Sequence, residues 1–129
     1  MQISKKSQYG LRAMVYLAKN FGKDKSIPLK EVSKHEAIPF DFLEKIILQL
    51  EKAKLVKGKK GIGGGYILAK SPRKISIKEI VEKLEKTIIP VDCSFCGRKN
   101  KCLAKNVWSK VDLALNKTLN SITLAQLIK

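Results

Sequence analysis

The chain has 129 residues, enough for one domain or for a small domain with a long appended element. Its apolar content of 44 % supports a real core, and no apolar run approaches the roughly 20 residues needed to cross a bilayer, which excludes a membrane helix. The net charge of +16 is extreme for this length, and residues 1–74 alone hold 17 Lys/Arg against 6 Asp/Glu. Such a basic half points to a polyanion, and the alternative is a generally lysine-rich, solvated surface.

The N-terminus opens with polar and basic residues and has no hydrophobic signal core, so a cytoplasmic protein is expected. From Gln8 to Asn20, Leu11, Met14, Val15 and Ala18 recur at helical spacing, with Ser4 or Ser7 available as a cap. The polar stretch "NFGKDKS" ends this helix. Two segments then open alike, "IPLKEVS" and "IPFDFLEKIILQL". Proline lacks an N–H and fixes φ, so Pro28 and Pro39 belong at helix starts. The spacing predicts a short helix over 29–35 and a longer one over 40–53 that buries Leu43, Ile46, Ile47 and Leu50. With the tight linker "HEAI" between them, the pair forms a helix-turn-helix pattern.

Next, "LVKGKKGIGGGYILAKSP" places β-type residues, Leu55-Val56 and Tyr66-Ile67-Leu68, around a glycine-dense, lysine-rich loop. This predicts a hairpin with a cationic tip. Its glycines lead into a strand, whereas phosphate-binding loops of nucleotide enzymes lead into a helix. A helix-turn-helix followed by a basic hairpin is a winged helix. Beyond it, "SIKEIVEKLE" predicts a short helix capped by Ser76, and "TIIPVD" delivers the chain to "CSFCGRKNKC". Residues 103–120 carry apolar side chains at 103, 107, 111, 115 and 119, with Ala104, Trp108 and Ala114 beside them. Such a wide stripe suits a dimer-forming helix, or one folded onto its own core. The tail "SITLAQLIK" predicts a last short helix, capped by Ser121 or Thr123, that docks through Leu124 and Leu127.

All three cysteines, Cys93, Cys96 and Cys102, lie in that one loop at C-x2-C-x5-C spacing, with Arg98, Lys99, Lys101 and Lys105 in or beside it. Nearby cations lower thiol pKa and help hold thiolates for a metal. An odd, small count is a poor disulfide framework. A zinc ribbon would need a second C-x2-C, and the only histidine, His35, lies in the helix-turn-helix. An iron–sulfur cluster, a cluster-free thiol switch, and a zinc or vestigial loop all stay open. A redox enzyme or metallochaperone would need a catalytic constellation, and the scattered carboxylates and single histidine supply none. A DNA-binding scaffold with no sensing function is a further alternative.

The stretches "MQISKKSQYGLRAMVYLA", "IPFDFLEKII", "KLVKGKKGIGGGYIL", "CLAKNVW" and "LNSITLAQL", together with the cysteine loop, resemble the Rrf-type winged-helix transcriptional regulators over essentially the whole chain. The resemblance implies a mainly α fold: a winged helix-turn-helix with a small β-hairpin wing and a long C-terminal dimerisation helix. It divides the chain into a DNA-binding domain, 1–75, and a sensor and dimerisation region, 76–129, with the cysteine loop at 92–102. The implied function is that of a homodimeric, non-enzymatic regulator of a partly palindromic duplex. It would sense iron–sulfur, redox or nitric-oxide status through a cluster of the 2Fe–2S or 4Fe–4S type on Cys93, Cys96 and Cys102.

Two departures bear on the fourth ligand of such a cluster. Lys105 stands where one subgroup of the family has a histidine, and Gln8 where another has an aspartate. Neither is a good iron ligand, so that position stays undefined. The cysteines are also more closely spaced than is usual in cluster-binding members.

For DNA, the helix over 40–53 exposes Asp41, Phe42, Lys45 and Gln49 opposite its buried stripe, with Phe40 at its start. The resemblance marks Pro39, Asp41, Phe42 and Glu44 as nearest the bases, while core packing is the alternative for Phe42. Lys57, Lys59, Lys60 and Gly61 of the wing would meet phosphates and the minor groove. Ser7, Gln8, Tyr9 and Lys30 would position the DNA backbone.

Overall fold

The structure, a computed structural model, describes residues 2–23, 25–85, 97 and 101–128. Helix α1 spans Lys5–Lys19, earlier than the apolar periodicity implies, because Ser4 caps it by accepting a hydrogen bond from the Ser7 N–H at 3.2 Å. Helices α2, Leu29–Glu36, and α3, Phe40–Lys52, follow Pro28 and Pro39 as expected. Between them Ala37 adopts a left-handed φ of 52°, and the Ile38 N–H returns to the Ser33 carbonyl at 3.0 Å. That is how a helix stops in one residue and the next starts at once.

Strands β1, Val56–Lys59, and β2, Gly65–Leu68, form an antiparallel hairpin with Val56 opposite Leu68 and Lys59 opposite Gly65. The pairing therefore runs further toward the tip than the β-type residues alone indicate. Ile27 bridges to Tyr66, with N–H to carbonyl distances of 2.9 and 2.8 Å, and ties the wing to the chain entering α2. A 3-10 turn, Pro72–Lys74, leads to α4, Ile77–Leu84, where Ser76 accepts from the Glu79 N–H at 3.2 Å.

The long helix α5 spans Lys105–Ser121, and the short α6 spans Leu124–Leu127. Thr123 and Gln126 close a capping box on α6. Leu124 is fully buried, but Leu127 is 45 % exposed, so the tail docks through one leucine where two were expected. A helix of one turn presents only one side chain to the core.

The core gathers Met14 of α1, Leu43, Ile46 and Leu50 of α3, Ile75, Ile80 of α4 and Leu124 of α6. Helix α1 lies so close to the end of α4 that a Cβ on Gly10 would come within 2.2 Å of Leu84 Cδ1. No helix among the described residues is long and apolar enough to cross a membrane.

Candidate nucleic-acid interface

Burial of Leu43, Ile46, Ile47 and Leu50 fixes the roll of α3 and leaves the opposite face in solvent. Asp41, Glu44 and Lys45 are exposed there, Pro39 is exposed just ahead, and Phe40 and Gln49 are half-buried on the flanks. Leu48 is 52 % exposed and lies, by its 100° step per residue, in the centre of this face beside Asp41, Lys45 and Lys52. It was absent from the expected set. The signal in the sequence is an apolar residue on the side of the helix away from the buried stripe.

Phe42 sits at the rim, partly exposed and edge-on to Tyr9, with centroids 5.5 Å apart and planes at 82°. The Arg12 guanidinium carbon lies 5.1 Å above the Tyr9 ring. Its Nη2 donates to the carbonyl oxygens of Glu36 and Ala37, which close α2. Arg12 thus joins α1 to the turn of the helix-turn-helix, a long-range role that local pattern does not reveal. Lys30 is exposed at the start of α2, and Gln8 is exposed with its amide donating to the Ile3 carbonyl at 2.8 Å.

Ser7 requires correction. Its side chain is 1 % exposed, and its hydroxyl lies 3.4 Å from that of Ser4. It faces the end of α4 and has no surface to offer a phosphate.

In the wing, Lys57, Lys59, Lys60, Gly61 and Ile62 are all exposed. The tip is a tight turn: Gly61 and Gly63 take φ of 92° and 76°, and the Gly64 N–H donates to the Gly61 carbonyl at 2.9 Å. Ser26 Oγ donates to the Gly63 carbonyl and holds the tip against the chain before α2. At the base, burial pushes the Tyr66 hydroxyl pKa up, and the carboxylates of Glu51 and Glu44 push it further. Among the described residues the ion pairs are Lys70–Glu79 and Lys78–Glu82, and none of the described residues offers a carboxylate to Lys30, Lys45, Lys57, Lys59 or Lys60.

Of the cysteines, Cys93 and Cys96 lie outside the described residues. Cys102 is half-buried in the turn before α5, its carbonyl accepting from the Lys105 N–H at 3.4 Å. No group of three metal-ligating side chains forms among the described residues. The fit of a cluster therefore rests on thiol chemistry alone, and of the three candidate ligands only Cys102 is among the described residues. Helix α5 buries none of its residues. Leu103 is 95 % exposed, and Val107, Trp108 and Leu113 also face solvent, while Leu119 packs against the core.

Residues 3–129 match the Rrf2 family, described as an iron-dependent transcriptional regulator. The chain is 31 % identical to Protein rrf2 of Nitratidesulfovibrio vulgaris, over 100 % of this chain and 88 % of that protein. The structure of IscR from T. potens superposes with a TM-score of 0.83 at 36 % identity, covering 99 % of this chain and 86 % of the other. CymR (YrzC), the global cysteine regulator of B. subtilis, superposes with a TM-score of 0.87 at 32 % identity, covering 99 % and 96 %.

Proposed function

This chain belongs to the Rrf2 family of transcriptional regulators, a non-enzymatic family, and from that premise we propose a cytoplasmic homodimer that grips a partly palindromic duplex under control of its cysteine segment. Residues 1–75 carry the DNA-reading parts and residues 76–129 the sensing and pairing parts. Helix α3 enters the major groove with Pro39, Phe40, Asp41, Phe42, Glu44, Lys45 and Gln49 toward the bases, and Leu48 joins them. Glu44 can accept from a cytosine amino group, and Leu48 can pack on a thymine methyl. Lys57, Lys59, Lys60 and Gly61 run along phosphates and into the minor groove, while Gln8, Tyr9 and Lys30 seat the backbone.

The observation that supports this reading is the row of exposed wing lysines, with no carboxylate partner among the described residues, beside the exposed face of α3. Each neutralised phosphate contributes about −0.9 to the slope of log affinity against log salt. Replacing Lys59 and Lys60 together with alanine removes four lysines from the dimer, and is expected to flatten that slope by up to about 3.6 and to weaken binding to every sequence. An unchanged slope in a fluorescence-anisotropy titration removes the wing from the interface.

Pairing is assigned to α5 and the turn before it, where Val107, Trp108 and Leu113 of the helix and Leu103 of the turn would otherwise stay in water. Leu103→Asp with Val107→Asp is expected to give monomers in sedimentation velocity. A dimer that survives both changes places the interface elsewhere.

Cys93, Cys96 and Cys102 would hold the cluster, of the 2Fe–2S or 4Fe–4S type, with Lys105 and Gln8 poorly suited to complete it. When bound, such a cluster supplies an oxidation- and nitric-oxide-sensitive group. Cys102 stands three residues before the start of α5, so a change at its sulfur is transmitted directly into the pairing helix. Anaerobic purification with an absorption spectrum and iron and sulfide assays tests this, alongside operator binding by the triple Cys→Ser variant. A second reading, a cluster-free thiol switch, is favoured by Cys102 being a free, half-buried cysteine. It predicts no iron, but oxidant-dependent binding that the same variant abolishes.

A further inference from the structure

We propose that Ile62 is an apolar wedge that each wing drives into the minor groove, packing on the deoxyribose walls and bending the duplex there. The inference rests on the DNA-binding reading above and adds a contact that electrostatics does not supply. Ile62 is fully exposed at the outermost point of the wing. The turn that carries it uses glycine wherever the backbone demands one: Gly61 and Gly63 are left-handed, and a Cβ on Gly64 would come within 2.6 Å of the Lys59 carbonyl oxygen. Ile62 has no such constraint. Turn chemistry favours Asn, Asp, Ser or Gly here, and a β-branched apolar residue contributes nothing to the fold from a position with no contacts.

The stem beneath Ile62 is stiff. The Gly64 N–H closes onto the Gly61 carbonyl at 2.9 Å, Ser26 Oγ holds the Gly63 carbonyl, and β2 is bridged to Ile27. A rigid stalk thus presents one isoleucine with Lys59 and Lys60 on its approach side. That is a wedge flanked by phosphate ligands. The sugar edges of the minor groove are apolar, and isoleucine, leucine and phenylalanine inserted there unstack a base step and kink the duplex. The kink costs least at flexible pyrimidine–purine steps, TA above all, and A·T-rich grooves attract the flanking lysines. Sequence preference at the operator flanks would follow without any base hydrogen bond.

An apolar contact releases no condensed counterions, so it carries a signature opposite to that of the lysines. Full-length protein would be used to select its own duplex from a random pool. Wild type, Ile62→Ser, Ile62→Leu and the Lys59→Ala/Lys60→Ala double variant would then be compared by anisotropy against salt and by circular-permutation electrophoresis for bending. Ile62→Ser is expected to weaken binding of the dimer about a hundred- to ten-thousandfold, the transfer value of two buried isoleucines, one on each wing. Its salt slope should match wild type, its bend should be smaller, and Ile62→Leu should restore both. Since Ile62 is fully exposed, no change in folding accompanies the substitution.

The proposal is overturned if Ile62→Ser binds and bends as wild type does. It is also overturned if that variant loses salt slope along with affinity, because lysine displacement would then account for the effect. Failure of the wild type to select any duplex instead overturns the DNA-binding reading itself. A flattened slope in the lysine variant with no effect at Ile62 removes the wedge alone.

Discussion

Arg12 of α1 donates from Nη2 to the carbonyl oxygen of Ala37, 3.3 Å away, at the left-handed residue that ends α2. The same nitrogen reaches Glu36, and the guanidinium covers the Tyr9 ring, which meets Phe42 edge-on. One planar cation therefore sets the turn of the helix-turn-helix and the seat of the exposed Phe42 ring. Lysine keeps the charge but cannot stack or fork in this way. Arg12→Lys is expected to lower unfolding stability by about 1 kcal/mol, the net worth of one such partly exposed contact. It should also weaken operator binding by several-fold more than that loss of stability explains. Thermal melting and anisotropy on the same sample check both. Wild-type values for both would show that Arg12 positions nothing.

The wing's attachment depends on Gly65. A Cβ there would lie 2.4 Å from both the carbonyl carbon and the carbonyl oxygen of Ile27, which is backbone and cannot rotate away. Gly65→Ala must therefore break the Ile27–Tyr66 bridge, at about 1–3 kcal/mol by the usual scale of overpacking. Gly22→Ala is the control: Gly22 is left-handed, φ 83°, but has open space around it, so only about 1 kcal/mol of backbone strain is expected. Hydrogen exchange at the Tyr66 amide should rise in the first variant and not in the second.

Much of this was legible because periodicity and proline placement act locally. Pro28, Pro39 and the stripe Leu43, Ile46, Ile47 and Leu50 define α2 and α3 before any packing is considered. What was not legible depends on tertiary packing. Ser7 is polar, and its burial depends on α4 arriving from over 70 residues away. Arg12 carries no local signal of its role, which depends on the turn after α2 folding beneath it. Leu48 stands out by helical spacing, since it is an apolar residue on the side of α3 away from its buried stripe. Cys93 and Cys96 lie outside the described residues, so the cysteine segment stays known chiefly through its donor chemistry.

Leu48 gives a test of base reading that involves no charge. An exposed leucine in the centre of the α3 face fits a thymine C5-methyl in the major groove. Replacing thymines one at a time by deoxyuridine in the selected duplex removes only that methyl. One position in each half-site is expected to weaken binding by several-fold, about 1 kcal/mol for a single apolar contact. The penalty should vanish in Leu48→Ala. If uracil is tolerated everywhere, or if the penalty persists in the variant, Leu48 does not read that methyl.

Stability against pH is expected to fall at both ends, through two identified groups. The Ser4 N–H at the start of α1 donates to Glu85 Oε1 at 2.7 Å, so the carboxylate beyond α4 fastens the first turn of the chain. Burial pushes the Glu85 carboxyl up, but hydrogen bonds from the Ser4 backbone and from the Ser4 and Ser7 hydroxyls, with Lys6 nearby, outweigh it and hold the pKa below the ordinary carboxylate value. A lowered folded pKa means that the unfolded chain takes up the proton first. Its stabilisation is present above about pH 5 and is lost as pH falls through the folded value. Tyr16 acts in the opposite direction. Its hydroxyl donates to Glu31 Oε2 at 2.6 Å, and that bond, with burial and the charges of Glu31 and Glu36, pushes its pKa up to about 12. This contribution is complete below about pH 10 and is lost as pH rises through about 12. In urea titrations across pH, Glu85→Gln should flatten the acid limb and Tyr16→Phe the alkaline limb, each leaving the other unchanged. An acid limb that stays as steep in Glu85→Gln as in wild type would mean that the clasp between α4 and α1 does not govern acid unfolding.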